Sequence, residues 1–166
     1  MKHFQAIYNS PLGKLKLQCS DEHISAVLFR DDEIEELQND NHPLLQQCIT
    51  QLDEYFADGR KDFSLPLQQD GTAFQQKVWE LLLQIPFGKT ISYHQLATQY
   101  GDLKAIRAVA SANGKNNLAI LVPCHRVIGS NHSLTGYAGG LWRKKWLLEH
   151  EAKHYAGVQQ LGLTFS

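Results

Sequence analysis

Two helix-opening signals of the same form constrain this chain most. Thr72-Ala73-Phe74-Gln75 and Ser92-Tyr93-His94-Gln95 each set a hydroxyl residue before a glutamine at capping-box spacing. After the first box, Phe74, Val78, Leu81, Leu82 and Ile85 make an apolar helical stripe that Pro86 stops. The second box opens a short helix with Leu96, Ala97 and Tyr100 inward and Gly101 at its close. Asp102 can cap a third helix over about 103–113, with Gly114 placed to end it. Two short helices joined by a tight, glycine-containing turn form a helix-turn-helix pattern.

The residues before this region read differently. Phe4, Ala6 and Tyr8 alternate with polar residues, as do Leu15 and Leu17, around the turn signal Ser10-Pro11-Leu12-Gly13, which predicts a β-hairpin. Residues 24–29 form a third predicted strand, and Phe63, Leu65 and Leu67 alternate as if returning to the sheet. Leu44, Leu45, Cys48, Leu52, Tyr55 and Phe56 make one helical stripe, with Pro43 in the first turn and Gly59 past the end. Cys48 is thereby expected as a core thiol. Residues 31–40 are acidic with little apolar periodicity and carry no assignment. The expected fold class is α+β: a small N-terminal antiparallel sheet domain with helices over 1–70, then a mainly helical, winged-helix or helix-turn-helix-like domain over 71–166. Gln68-Gln69-Asp70-Gly71 is the candidate linker.

Charge divides at the same place. The net charge of −1 conceals six basic and thirteen acidic residues in 1–70, against nine basic and three acidic in 89–166. A basic half of this kind is a hint of a polyanionic partner. At 43% apolar and 20% charged residues the chain can bury a core, which excludes disorder. Its longest apolar run, Leu118 to Cys124, is far shorter than the ~18 residues of a membrane span, so no membrane association is expected. Met1-Lys2-His3-Phe4-Gln5 lacks the apolar core of a signal peptide, and three widely spaced cysteines fit a reducing cytoplasm. Cys19, His23, His42 and Cys48 can be assembled on paper into a zinc set, but the spacings are not a tight ligand pattern, and no metal is assigned.

The third helix has two faces. Ile106, Val109 and Ala110 are expected toward the core, leaving Lys104, Arg107, Ala108, Ser111 and Ala112 outward, small or basic. Such a face can approach a nucleic-acid groove closely while its cations meet phosphate. Leu118-Ala119-Ile120-Leu121-Val122 then reads as a buried strand broken by Pro123, followed by Cys124-His125-Arg126-Val127. Histidine and arginine beside a thiol favour thiolate. On an extended chain, however, neighbouring side chains diverge, so His125 would need a turn or a bridging water to serve Cys124 as base. A glycine-dense loop, Thr135-Gly136-Tyr137-Ala138-Gly139-Gly140, can pass close to a flat ligand and leads into a helix from Leu141 to Glu151. That helix is basic early and acidic late, opposite to its dipole, so Glu149 or Glu151 is expected to have another partner, a catalytic imidazole among the candidates. On these residues alone, a cysteine hydrolase and a non-catalytic helix-turn-helix regulator stay open.

The chain resembles the O6-alkylguanine-DNA alkyltransferases, the methylated-DNA–protein-cysteine methyltransferase family. Pro123-Cys124-His125-Arg126-Val127 carries the resemblance, with Ile91-Ser92-Tyr93, Arg107-Ala108-Val109, Asn116 and the run from Lys144 to Glu151 in the same order; Ser10-Pro11-Leu12-Gly13 is a weaker match. The resemblance implies a single-turnover DNA repair protein that moves an alkyl group from guanine O6, with O4-alkylthymine a second possible substrate, to its own Cys124. His125, polarised by Glu151, would take the thiol proton through a water; Tyr93 would supply a proton to the leaving guanine with Lys144 assisting, and Asn116 would hold the preceding turn. It also implies a monomer without cofactor that binds double-stranded DNA in the minor groove and extrudes the alkylated base, as stacking inside the duplex demands. Arg107 would fill the gap in the stack, with Lys104, Ala108, Ser111, Ala112, Lys115 and Arg126 facing DNA. Tyr93, Val127, Tyr137, Ala138 and Gly139 would line the base pocket. Ala138 stands where some members have serine, and Gly114 where some have a basic residue.

Overall fold

The computed structural model describes residues 2–30, 39–155 and 164–165. The acidic residues 31–38 of the unassigned 31–40 stretch lie outside the described residues. The chain divides into two compact units, 1–70 with 117–121, and 71–116 with 122–166. A single cut at residue 70 therefore misplaces one short excursion.

In the first unit, β1 (Phe4–Ser10), β2 (Gly13–Cys19) and β3 (Ile24–Arg30) form an antiparallel sheet in sequence order. Pairing of Ser10 with Gly13 leaves Pro11 and Leu12 as the hairpin loop. The Ser10 hydroxyl locks that loop, accepting from the Leu12 amide at 3.0 Å and donating to the Gly13 carbonyl at 2.6 Å. Alternation puts Ala6, Tyr8, Leu15, Leu17 and Cys19 in the core, where α1 (Pro43–Asp58) lays Leu45, Cys48, Leu52 and Tyr55. His42 caps α1, and Gly59 ends it in the left-handed region at φ 70°, a conformation that favours glycine. Residues 63–67 approach the sheet at one point, a parallel bridge from Leu67 to Ile24.

The expected strand over 118–122 is not formed. Leu118 makes one parallel bridge with Val27, the Leu121 amide bonds the Ala119 carbonyl at 2.8 Å, and Ile120 between them has φ 71°. This tight three-residue turn is strained for a β-branched residue. The apolar run had the composition of a strand, but its side chains are buried without a ladder: Leu118, Ile120, Leu121 and Val122 are all core.

In the second unit both capping boxes form as the sequence predicts, at Thr72 with Gln75 and Ser92 with Gln95. They open α2 (Ala73–Leu82) and α3 (Tyr93–Tyr100), and Gly101 closes α3. Asp102 caps a 3-10 turn, Leu103–Ala105, that runs into α4 (Ile106–Gly114). Trp79 of α2 is buried and donates its indole N–H to the Ala112 carbonyl at 2.9 Å, joining α2 to α4. Two-residue strands β4 (Ile91–Ser92) and β5 (Val127–Ile128) pair in parallel, so the start of α3 lies beside the segment that follows Cys124. Further on, β6 (Ser133–Leu134) pairs in parallel with β7 (Thr164–Phe165), and α5 spans Leu141–His154.

The face of α4 differs from the sequence expectation at Ala112 and at Ala110, which is half-buried and not part of the buried stripe. Val109, Ala112 and Asn113 are its buried residues, at the i, i+3, i+4 spacing of one stripe, whereas Arg107, Ala108 and Ser111 are exposed. Ala112, expected outward, is only 2% exposed, because it shares the stripe of Val109 and sits beneath Trp79. Ala112→Leu should therefore lower stability by about 1–3 kcal/mol through overpacking, and Ala108→Leu by less than about 0.5 kcal/mol, in urea unfolding. Equal effects would show that the helix is turned otherwise.

Candidate active site

Cys124 opens a 3-10 turn, Cys124–Arg126, in place of a strand end. The turn follows from Pro123, at φ −81° and ψ 62°, across which the Cys124 amide bonds the Val122 carbonyl at 2.8 Å. Asn116 anchors the approach, its amide donating to the Val122 carbonyl at 2.9 Å, and its side chain also hydrogen-bonds the Cys124 thiol. The thiol is buried. Burial raises its pKa, while the Asn116 bond and the charge of Lys144 draw it back down.

Behind the thiol lies an enclosed charge cluster. His125 has no exposed surface, and its Nε2 stands 2.7 Å from Oε2 of Glu151, itself 1% exposed. Arg126 donates to the same carboxylate, Nε to Oε1 at 2.7 Å and Nη2 to Oε2 at 3.1 Å, and Nη1 donates to the Ile85 carbonyl at 2.6 Å. Against its burial, His125 and Arg126 hold the Glu151 carboxyl well below the usual carboxylate range. Burial lowers the pKa of His125, outweighing Glu151. The arginine already balances the carboxylate, so imidazole stays neutral, donating from Nε2 to Glu151. Its Nδ1 then carries the lone pair, and that atom meets no hydrogen-bond partner among the described residues.

Lys144, with no exposed surface, donates to the Thr135 carbonyl at 2.8 Å, and burial holds its pKa down to about 8 despite the neighbouring Cys124. The Tyr93 hydroxyl donates to the same carbonyl at 3.1 Å; burial raises its pKa, with Cys124 contributing. Arg143 fastens the other end of the loop, donating to the Gly139 carbonyl at 3.0 Å with its guanidinium 4.7 Å from the Trp142 ring centroid. Consecutive basic residues of α5 thus hold both ends of the segment 135–139. An apolar groove of about 640 Å³ runs between that segment and α4, lined by Tyr93, Ile106, Ala110 and Gly114 on one side and residues 135–138, with Tyr137 and Ala138, on the other; Arg107 also borders it.

Of the residues singled out from the sequence, Cys124, His125, Glu151, Asn116, Tyr93 and Lys144 are thus brought together. Lys104, Arg107, Ala108, Ser111 and Lys115 are exposed on or beside α4. Arg126 does not face solvent: it is 5% exposed and committed to Glu151 and Ile85, so its expected DNA contact is withdrawn. The buried Glu151 carboxylate would be costly without a cation, and Arg126 meets it rather than solvent. The Val127 side chain is fully buried in β5, and neither it nor Gly139 lines the groove; the Gly139 carbonyl accepts from Arg143. Asn113 and Arg143 were missed. Asn113 falls on the buried stripe of α4, a signal hidden by the assignment of Ala110 to that stripe. Arg143 was given no role of its own within the basic opening of α5. Cys19 and Cys48 are buried free thiols, and His42 caps α1 and contacts Asp21 at 3.3 Å. Among the described residues no group of three or more His, Cys, Asp or Glu is placed to hold a metal ion, and no helix is long and apolar enough to cross a membrane.

The cluster makes an acid-stability prediction. Glu151 has a depressed pKa, so its contribution is present above the unfolded value of about 4.3 and is lost as pH falls below that value toward the folded one. Replacing it also strands Arg126: Glu151→Ala should cost about 3–5 kcal/mol at pH 7. The difference from wild type in urea unfolding should narrow below about pH 4. A difference independent of pH would contradict an ionised Glu151.

Known proteins match the chain along most of its length. Residues 4–69 fit the ribonuclease-like domain of 6-O-methylguanine DNA methyltransferase and residues 73–153 its DNA binding domain. The constitutive methylated-DNA–protein-cysteine methyltransferase of Bacillus subtilis is 47% identical, covering 88% of this chain and 93% of its own. The methylated-DNA–protein-cysteine methyltransferase of Methanosarcina acetivorans is 41% identical, covering 89% and 97%. The crystal structure of Mycobacterium tuberculosis OGT in complex with DNA superposes with a TM-score of 0.81 at 40% identity, over 91% of this chain and 94% of that one. By these matches the chain belongs to the 6-O-methylguanine DNA methyltransferase family.

Proposed function

We propose that this protein repairs alkylated DNA by moving the alkyl group of O6-alkylguanine in duplex DNA to Sγ of its own Cys124, once per molecule. Support comes above all from the convergence of Cys124, the His125–Glu151 pair, Lys144 and Tyr93 at one site in a chain of this family.

The thiol proton passes through a water to Nδ1 of neutral His125. The resulting imidazolium is met by Glu151, so the carboxylate stabilises charge as it appears. The thiolate forms the Sγ–C bond as the C–O6 bond breaks in line, and the electron pair stays on guanine. Tyr93 gives its hydroxyl proton to the leaving base, and the Lys144 ammonium steadies the phenolate and, before it, the thiolate. The product is a thioether, a poor leaving group that water does not displace, so no second turnover follows and no cofactor or metal is needed.

Guanine O6 is stacked inside the duplex, so the base must be extruded. In this reading α3, the turn at Gly101 and α4 act as a helix-turn-helix in the minor groove. Exposed Ala108 and Ser111 allow close approach, Lys104 and Lys115 meet phosphate, and Arg107 fills the vacated stack. The extruded base enters the groove beside Tyr137 and Ala138. The protein acts as a monomer in the cytoplasm, where Cys124 remains reduced.

Incubation with duplex O6-methylguanine should add one methyl group per protein, found by peptide mass spectrometry on Cys124, and Cys124→Ser should bind DNA without accepting it. Repeated turnover, or alkylation of Cys19 or Cys48 instead, would overturn the proposal. Arg107→Ala should slow transfer from duplex DNA about tenfold or more, with far less effect on free O6-benzylguanine. Equal slowing of both would remove the stack-filling role. The transfer rate should also fall as pH rises through about 8, where Lys144 loses its proton. Lys144→Gln should be slow and lack that limb; a wild-type profile with no falling limb near this pH would contradict the role.

A further inference from the structure

Asn113 has no part in the scheme above, yet it lies against both the nucleophile and the proton donor. On α4 the groove-lining residues Ile106, Ala110 and Gly114 form one row, and Val109 and Ala112 belong to the core. At about 100° per residue, position 113 falls between the two rows, behind the groove's lining and against Tyr93, which borders it. The side chain is buried, at 2% exposure. Its Nδ2 donates to the Cys124 carbonyl at 3.4 Å, and the amide also hydrogen-bonds the Tyr93 hydroxyl. Its Oδ1 is buried with no donor among the described residues. Turning the amide over does not help, because Oδ1 would then face the Cys124 carbonyl. Native interiors seldom leave such an acceptor unpaired without a function for it.

We propose that Asn113 Oδ1 accepts a hydrogen bond from the exocyclic 2-amino group of the extruded guanine and so selects guanine over other alkylated bases. The inference rests on the alkyl-transfer reading and adds the residue that reads the base. Alkylation at O6 removes the N1 proton, so the 2-amino group is the one N–H donor the base retains. An alkylated hypoxanthine or an O4-alkylated thymine offers no donor there. Either would leave Oδ1 buried and unpaired, the circumstance in which a polar site rejects an analogue most strongly. The bond from Nδ2 to Cys124 fixes the direction of the amide, so reading the base and presenting the thiol depend on one side chain.

The test compares single-turnover transfer from duplexes carrying O6-methylguanine or O6-methylhypoxanthine, which differ only in the 2-amino group. Wild-type protein should favour guanine by about tenfold to a hundredfold. Asn113→Leu also removes the bond to the Cys124 carbonyl, so it should slow both duplexes, guanine about tenfold more than hypoxanthine, and bring the preference to within about threefold. Asn113→Asp keeps an acceptor and should retain most of the preference. No preference in the wild type, or a preference kept at its wild-type ratio in Asn113→Leu, would overturn the inference and leave alkyl transfer standing. Failure of wild-type protein to accept methyl from either duplex would instead overturn the reading on which it rests. The wild-type comparison needs no variant to fold.

Discussion

One buried carboxylate organises the second unit. Glu151 sits in α5 at 1% exposure, with His125 and Arg126 both bonded to it. An isolated carboxylate there would be prohibitively costly; two donors on one side and the Ile85 carbonyl behind Arg126 make it tolerable. Because His125 and Arg126 follow Cys124 directly, satisfying Glu151 also fixes the turn that carries the thiol. Charge balance does the rest. With Arg126 answering the carboxylate, imidazole has no need to be protonated, and Nδ1 keeps the lone pair that a base requires.

The cation beside the Cys124 thiol is separate. Lys144 reaches the Thr135 carbonyl that Tyr93 also uses, so the ammonium, the phenol and the loop 135–139 are set by one oxygen. Arg143 holds Gly139 at the other end. A loop rich in glycine is inexpensive to bend and costly to hold still. Two neighbouring cations on α5 hold this one, which explains why that helix begins with basic residues against its dipole.

Much of this was legible in the sequence. The capping boxes, the hairpin turn and the cap of α1 at Gly59 each follow from local chemistry that tertiary packing did not override, and the charge order of α5 asked for a partner to Glu149 or Glu151, which His125 supplies to Glu151. What failed to show did so for physical reasons. Residues 118–122 had a strand's composition, but composition cannot distinguish a ladder from an irregular buried segment, and the turn at Ile120 is strained. Arg126 read as a cation for DNA because sequence does not reveal that its neighbour in space is a buried carboxylate. Ala112 was placed outward and Asn113 given no face: small residues fit either face of a helix, and the buried stripe runs through Val109, Ala112 and Asn113.

The proposed transfer depends on a neutral His125, with its proton on Nε2 against Glu151 and its lone pair on Nδ1. Nitrogen-15 NMR of imidazole-labelled protein tests this directly. At pH 7 Nδ1 of His125 should be unprotonated while Nε2 carries hydrogen, and the ring should stay neutral below the ordinary histidine range. An imidazolium at pH 7, or a proton on Nδ1, would contradict it.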